Sequence, residues 1–357
     1  MARRGNISNV FLANLDMLIE TMDQALLHGR NPMRSSPHCA TLSKITFGVL
    51  CRYYIRLARE GILVGITKDE AELIVNQFQN CEIIDNPMQG GQKTVFPCMI
   101  NNRKYALKFL KLENEMDDHD LIDESPFDSD YERAVRETNA LNDFNSPYIV
   151  KLGPIKLTKT KYNNSKFVFY TEEWIEGRNL QGIKLSIHDC VQLGIDIGYA
   201  IGLLDQKGKI HRDIKPGNIM QRFSDGHFVL LDLGLLYDKL DKSLTQVGIV
   251  PGTLLYLSPE QMDYTRKKTL DFRSDLFSLG IVMYQCSTGL YPFGNINQIG
   301  TDEILRNILS MKETPAHVID SNIPEKLSKA ISQLLSKRPN SRYRKIDFLI
   351  DDLKPLL

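Results

Sequence analysis

Residues 211–234 set the tightest limit on what this chain can become. His211-Arg212-Asp213-Ile214-Lys215-Pro216-Gly217-Asn218 crowds five ionisable or amide side chains into eight positions. An apolar run, Phe228-Val229-Leu230-Leu231, then delivers a second acidic turn, Asp232-Leu233-Gly234. Charges set at the end of such an apolar run must be paired or face water. Any one of these charges alone would be an ordinary surface residue. The chance of the whole cluster arising at random is negligible, and the cluster points to one polar site.

The rest of the chain is long enough to build a scaffold around that site. Its 357 residues, 42% hydrophobic and 25% charged, have the composition of a globular protein with room for two lobes and an appendage. Lys+Arg and Asp+Glu both total 44, so no overall field favours nucleic acid or an anionic membrane. The six cysteines (Cys39, Cys51, Cys81, Cys98, Cys190, Cys286) are scattered without metal-ligand spacing, the pattern of a reducing compartment. No apolar run is read as a membrane span, and Asn9, Asn14, Asp16 and Glu20 interrupt any leader-like core behind Arg3 and Arg4. A cytoplasmic location is the expectation.

Periodicity divides the chain. Ile7, Phe11, Leu15, Leu18, Met22 and Leu26 fall at helical steps, and a second helix is read from Leu42 to Leu57. Thr67 with Glu70 forms a capping box ahead of Ile74, Val75 and Phe78. Residues 1–80 are therefore read as a helical unit. Strands are expected at Cys81–Asp85, Thr94–Ile100, Tyr105–Leu110 and Phe167–Glu173. Between Leu112 and Tyr131 lies an acidic segment, read as a solvated insertion. From about Asn179 onward helices dominate, one of them capped by Ser186 and Asp189. The expected class is α+β, with units at 1–80, 81–178 and 179–357.

The octamer and the acidic turn resemble the catalytic loop (HRDxKxxN) and metal motif (DFG) of eukaryotic-type serine/threonine protein kinases. The resemblance implies a bilobal fold, a small β-rich N-lobe and a larger helical C-lobe, here with an all-α N-terminal extension. It implies transfer of the γ-phosphoryl group of ATP to a protein hydroxyl, with Mg²⁺, or alternatively Mn²⁺, as the metal. Asp213 would receive the hydroxyl proton, Asn218 and Asp232 would hold the metal, and Lys215 would place positive charge on the moving phosphate. Lys108, in Ala106-Leu107-Lys108, matches the family's third-strand lysine. Its expected ion-pair partner is Glu137, with Glu132 as the alternative. Leu233, in the position of the family's phenylalanine, keeps an apolar plug beside that helix. Glu260 of Ser258-Pro259-Glu260 is expected to pair with Arg342, and Asp275 to anchor the catalytic-loop backbone.

The nucleotide loop departs most from the family. Met88-Gln89-Gly90-Gly91-Gln92-Lys93-Thr94-Val95-Phe96 retains Gly90 and Gly91 but carries Met88 and Lys93 where the pattern has glycine, and Lys93 adds positive charge. Val95 and Ala106 are expected to roof the adenine pocket. Glu173 and Ile175 lie in the hinge-like segment 170–177, with the only tryptophan, Trp174, between them. Lys215 two residues after Asp213 marks the serine/threonine class, and Thr253 fits it. Autophosphorylation is expected, with Ser243 and Thr245 of the activation loop as candidates opposite Arg212. The spelling of the glycine loop resembles bacterial kinases. Expected partners are an unidentified protein substrate and a regulatory contact through residues 1–80, with neither nucleic acid nor membrane indicated. Two alternatives stay open: a pseudokinase serving as a binding module, and a small-molecule kinase on the same fold.

Overall fold

The computed structural model describes residues 66–357 apart from 77, 79, 91–92, 113–129, 164, 234–236, 239–253, 263–269 and 296–297. The first two expected helices, most of the acidic segment, Gly91, Ser243, Thr245 and Thr253 lie outside the described residues.

The first described helix, α1 (Lys68–Val75), starts where the capping box places it. Thr67 accepts from the Glu70 amide at 3.3 Å, and the Glu70 carboxylate accepts from the Thr67 amide at 3.0 Å. Its apolar stripe, Ala71, Ile74 and Val75, packs with Ile66 into one buried cluster with Phe96, Cys98, Leu107, Phe109 and Phe169. Helix α1 thus shares its core with the strands that follow. A boundary at residue 80 cuts through that core.

Those strands form one antiparallel sheet: β1 (Cys81–Ile83), β2 (Met88–Gly90), β3 (Lys93–Ile100), β4 (Arg103–Leu112), β5 (Thr158–Tyr162) and β6 (Ser165–Glu173). The order is β1-β3-β4-β6-β5, with β2 hairpinned onto β3. Strands β3, β4 and β6 cover the expected runs and extend them by one to two residues, whereas β1 stops two residues short of Asp85. Register assigns the faces. Val95 opposes Lys108, and Lys108 opposes Tyr170, so alternate residues Lys93, Val95, Ala106, Lys108, Tyr170 and Glu172 share one face. The intervening Phe96, Leu107, Phe109 and Phe169 face the α1 side. On the charged face Leu110, Leu112 and Val168 pack against Ala134 of α2 (Asp130–Asp143).

The larger lobe is built on α3 (Ile187–Gln206). Ser186 caps it, accepting from the Asp189 amide at 3.0 Å. By length and composition α3 could cross a membrane, which the sequence reading did not flag. Its apolar positions nonetheless lie in the lobe's core, against α5 (Arg273–Thr288) and α6 (Ile346–Leu353). Gly194 permits the approach, because a Cβ there would lie 2.7 Å from both Met283 and Leu353. A small sheet of β7 (Gly177–Asn179), β9 (Ile219–Arg222) and β10 (Phe228–Leu230) brackets the 211–218 loop. A two-residue pairing of β8 (Lys209–Ile210) with β11 (Tyr237–Asp238) lies beside it.

One buried ion pair ties the middle of this lobe to its end. Arg342, fully buried, donates to Glu260 at 2.5 and 3.0 Å and to the carbonyls of Arg273, Ser336 and Lys337. Glu260 sits on the short helix α4 (Pro259–Met262) and also accepts from Ser274 Oγ at 2.9 Å. Arg342→Ala would leave the Glu260 carboxylate and three carbonyls without that donor, so urea unfolding should report a loss of roughly 3–5 kcal/mol. Loss below about 1 kcal/mol would mean that water replaces the guanidinium.

Candidate active site

The 211–218 loop is held from below by one carboxylate. Asp275, buried on α5, accepts from the amides of His211 and Arg212 at 2.8 Å each. Burial raises the Asp275 carboxyl above the usual range, against the opposing pull of His211 and the two amides. Arg212 adopts a left-handed backbone, φ 66°, which a non-glycine residue holds only where its surroundings over-determine it. His211 spans the loop: Nδ1 accepts from the Asp213 amide at 3.2 Å, and Nε2 lies 3.2 Å from the Leu231 carbonyl as its donor. Gln261, which the sequence did not single out, adds a tie from α4, donating to the Arg212 carbonyl at 3.2 Å.

Within that frame three of the expected residues meet. Lys215 Nζ donates to both oxygens of Asp213 at 2.9 and 2.8 Å. Asn218 Nδ2 donates to the Asp213 carboxylate and carbonyl, each at 2.9 Å. Both partners fix the orientation of the Asp213 carboxylate, the group placed to receive a proton. The strand leading to Asp232 is pinned to the same loop, because the Leu231 amide donates to the Asn218 carbonyl at 2.8 Å. Asp232 is itself left-handed, φ 58°. Leu233 is fully buried in one cluster with Leu141 of α2 and Tyr170, the plug its position implied.

The lysine chemistry differs from expectation. Lys108 Nζ lies 3.6 Å from Glu137 Oε1, within ion-pair range but beyond a hydrogen bond. Its hydrogen bond goes to Glu172 at 2.6 Å. The reason is register: Glu172 follows Tyr170 by two on β6 and so shares the face of Lys108 as its diagonal neighbour. Glu137 Oε2 accepts instead from Lys93, whose Nζ also donates to Asp232 Oδ1 at 3.0 Å. Burial raises the Glu172 carboxyl above the usual range, countered in part by Lys108 and reinforced by Glu137. Burial draws the Lys93 ammonium down, yet Asp232 and Glu137 outweigh it and hold the pKa above that of an ordinary lysine. The α2 carboxylate that both lysines approach is Glu137 rather than the alternative, Glu132.

Val95 and Ala106 lie half-buried on the same face. Gly90 ends β2 opposite Lys93. Glu173 is engaged with Lys151 through both its amide and its carboxylate, each at 2.9 Å, and Ile175 packs on the large-lobe core. Trp174 carries the Lys104 ammonium 4.3 Å over its ring, a packing role.

The order and geometry of these parts agree with comparisons to known proteins. The sequence profile described as "Protein kinase domain" matches residues 89–350. The chain belongs to the protein kinase family. A probable serine/threonine-protein kinase of Clostridium perfringens is 28% identical over 282 residues, covering 77% of this chain and 38% of that protein. A probable serine/threonine-protein kinase PknB of Bifidobacterium longum is 31% identical over 221 residues, 59% of this chain and 31% of the other. PknB of Mycolicibacterium smegmatis is 31% identical over 224 residues, with 60% and 34% covered. The chain thus spans about a third of the length of these curated relatives, all bacterial.

For a kinase domain the Asp275 clamp should be separable from the chemistry. Asp275→Ala strands two buried amides, and thermal or urea unfolding should show a loss of about 3 kcal/mol. An unchanged unfolding midpoint would mean that the loop is held by Gln261 and His211 alone.

Proposed function

We propose that this chain is an ATP-dependent protein serine/threonine kinase that also phosphorylates itself. The observation that carries the reading is Asp213, held by Lys215 and Asn218 on a loop whose backbone Asp275 clamps. A carboxylate held in place beside an ammonium can accept a hydroxyl proton while that ammonium faces a transferring phosphate. Lys215 at this spacing favours serine or threonine as the acceptor.

The donor set suits Mg²⁺. Asp232 offers carboxylate oxygens, and Asn218 spends its amide nitrogen on Asp213, which leaves the amide oxygen to face a cation. When bound, the ion would neutralise charge on the nucleotide phosphates. The residues themselves orient the acceptor (Asp213), carry positive charge (Lys108, Lys215) and position Lys108 (Glu137, Glu172).

A second reading, a nucleotide-binding pseudokinase, draws support from Lys108 being hydrogen-bonded to Glu172. Radiolabelled ATP transfer separates the two. Asp213→Asn is expected to lower phosphoryl transfer about 10²-fold or more while nucleotide binding persists. Mass spectrometry should then place the label on serine or threonine of the kinase or an acceptor protein. Transfer that is absent in wild type, or undiminished in Asp213→Asn, would exclude the kinase reading.

A further inference from the structure

The cleft face carries three carboxylates, Glu137, Glu172 and Asp232, with two lysines set among them in a fixed order. Lys108 is bonded to Glu172 and stands 3.6 Å from Glu137. Lys93 is bonded to Glu137 and Asp232 together. The lysine that closes on the α2 carboxylate is therefore the one from the β2–β3 hairpin. Lys93 opens β3 directly opposite Gly90, so its side chain runs from the hairpin to the cleft floor and is largely buried on the way. The second oxygen of Glu137 is buried without a hydrogen bond and faces Lys108. Glu137 thus stands between two ammonium groups, and only the Lys93 contact is closed.

We propose that Lys93 is a second phosphate-binding lysine, which exchanges its contacts with Glu137 and Asp232 for the phosphates of a bound nucleotide. This rests on the kinase reading of the site. The argument is one of charge and reach. Asp232 is a carboxylate suited to a divalent cation, and Lys93 supplies one of its oxygens with a tethered positive charge. Asp232, if it held a divalent cation, would have a stronger partner there than the Lys93 ammonium. The Lys93 ammonium, leashed to the hairpin, would then be within reach of anionic phosphate as a new counter-charge. If instead Lys93 were a staple holding the hairpin to α2, it would serve adenosine and ATP alike.

Calorimetric titration of the full chain with Mg-ATP, Mg-ADP and adenosine reads the difference without turnover. Lys93→Met is expected to weaken Mg-ATP binding about tenfold or more and to leave adenosine binding unchanged. Lys93→Arg should keep most of the ATP affinity. The double variant Lys93→Met/Glu137→Gln should stay weak, because the lost contact is to phosphate. Parallel loss of ATP and adenosine, no loss of either, or recovery of ATP affinity in the double variant would each overturn the proposal. Should Lys93→Met fail to fold, Lys93→Gln, close in length, carries the same comparison with Lys93→Arg. Wild type that binds neither ATP nor adenosine overturns the kinase reading as well, whereas equal ATP binding by wild type and Lys93→Met removes only the role of Lys93.

Discussion

A carboxylate as buried as Glu137 is an expensive thing to fold around. Desolvating one such ion costs several kcal/mol even after relaxation, and its attraction to a partner offsets that only where the geometry is good. Here the charge lies between Lys93 and Lys108, each reaching it from the sheet, so helix α2 docks through charge as well as through Ala134 and Leu141. The placement of α2 and the state of the cleft are consequently one variable. Anything that draws Lys93 or Lys108 away changes what holds α2, and anything that shifts α2 changes where the lysines rest.

The large lobe solves a similar problem differently. Asp275 and the Glu260–Arg342 pair are also buried, but backbone groups satisfy them: two amides at the aspartate, and three carbonyls around the arginine. Backbone partners cannot leave without unfolding a segment. These charges therefore make a rigid seat for the loop that holds Asp213, consistent with the left-handed Arg212 persisting there. The small-lobe network is made of side chains with alternative partners and can be redistributed by a ligand.

That contrast also explains what could be read from the sequence. The capping box at Thr67, the strands, the 211–218 loop, the Asp275 clamp and the Glu260–Arg342 pair are legible because each is local or belongs to a fixed motif. The exchange of lysines is not. It depends on β3, β4 and β6 aligning so that Lys93, Lys108 and Glu172 share a face, and register is set by pairings between distant segments. Glu172 was in view as part of the hinge-like run, yet only its two-residue spacing from Tyr170, opposite Lys108, hinted at its partner. The boundary at residue 80 failed for a related reason. A helical period tells which face of α1 is apolar and nothing about which neighbour covers it. The apolar length of α3 carries the same ambiguity, which its packing against α5 and α6 resolves toward a core helix in this fold.

Lysine in place of glycine at position 93 looks, in a one-dimensional reading, like a weakened phosphate loop. In three dimensions what the hairpin loses at this position is conformational latitude, and what it gains is a charged side chain long enough to reach two carboxylates on other elements. Backbone amides grip phosphate by close approach, whereas an ammonium grips it at the end of a flexible stem. A cleft that substitutes the second device for part of the first would tolerate a less pliant hairpin. It would also couple nucleotide entry to the Glu137 helix more directly, because the same side chain touches both.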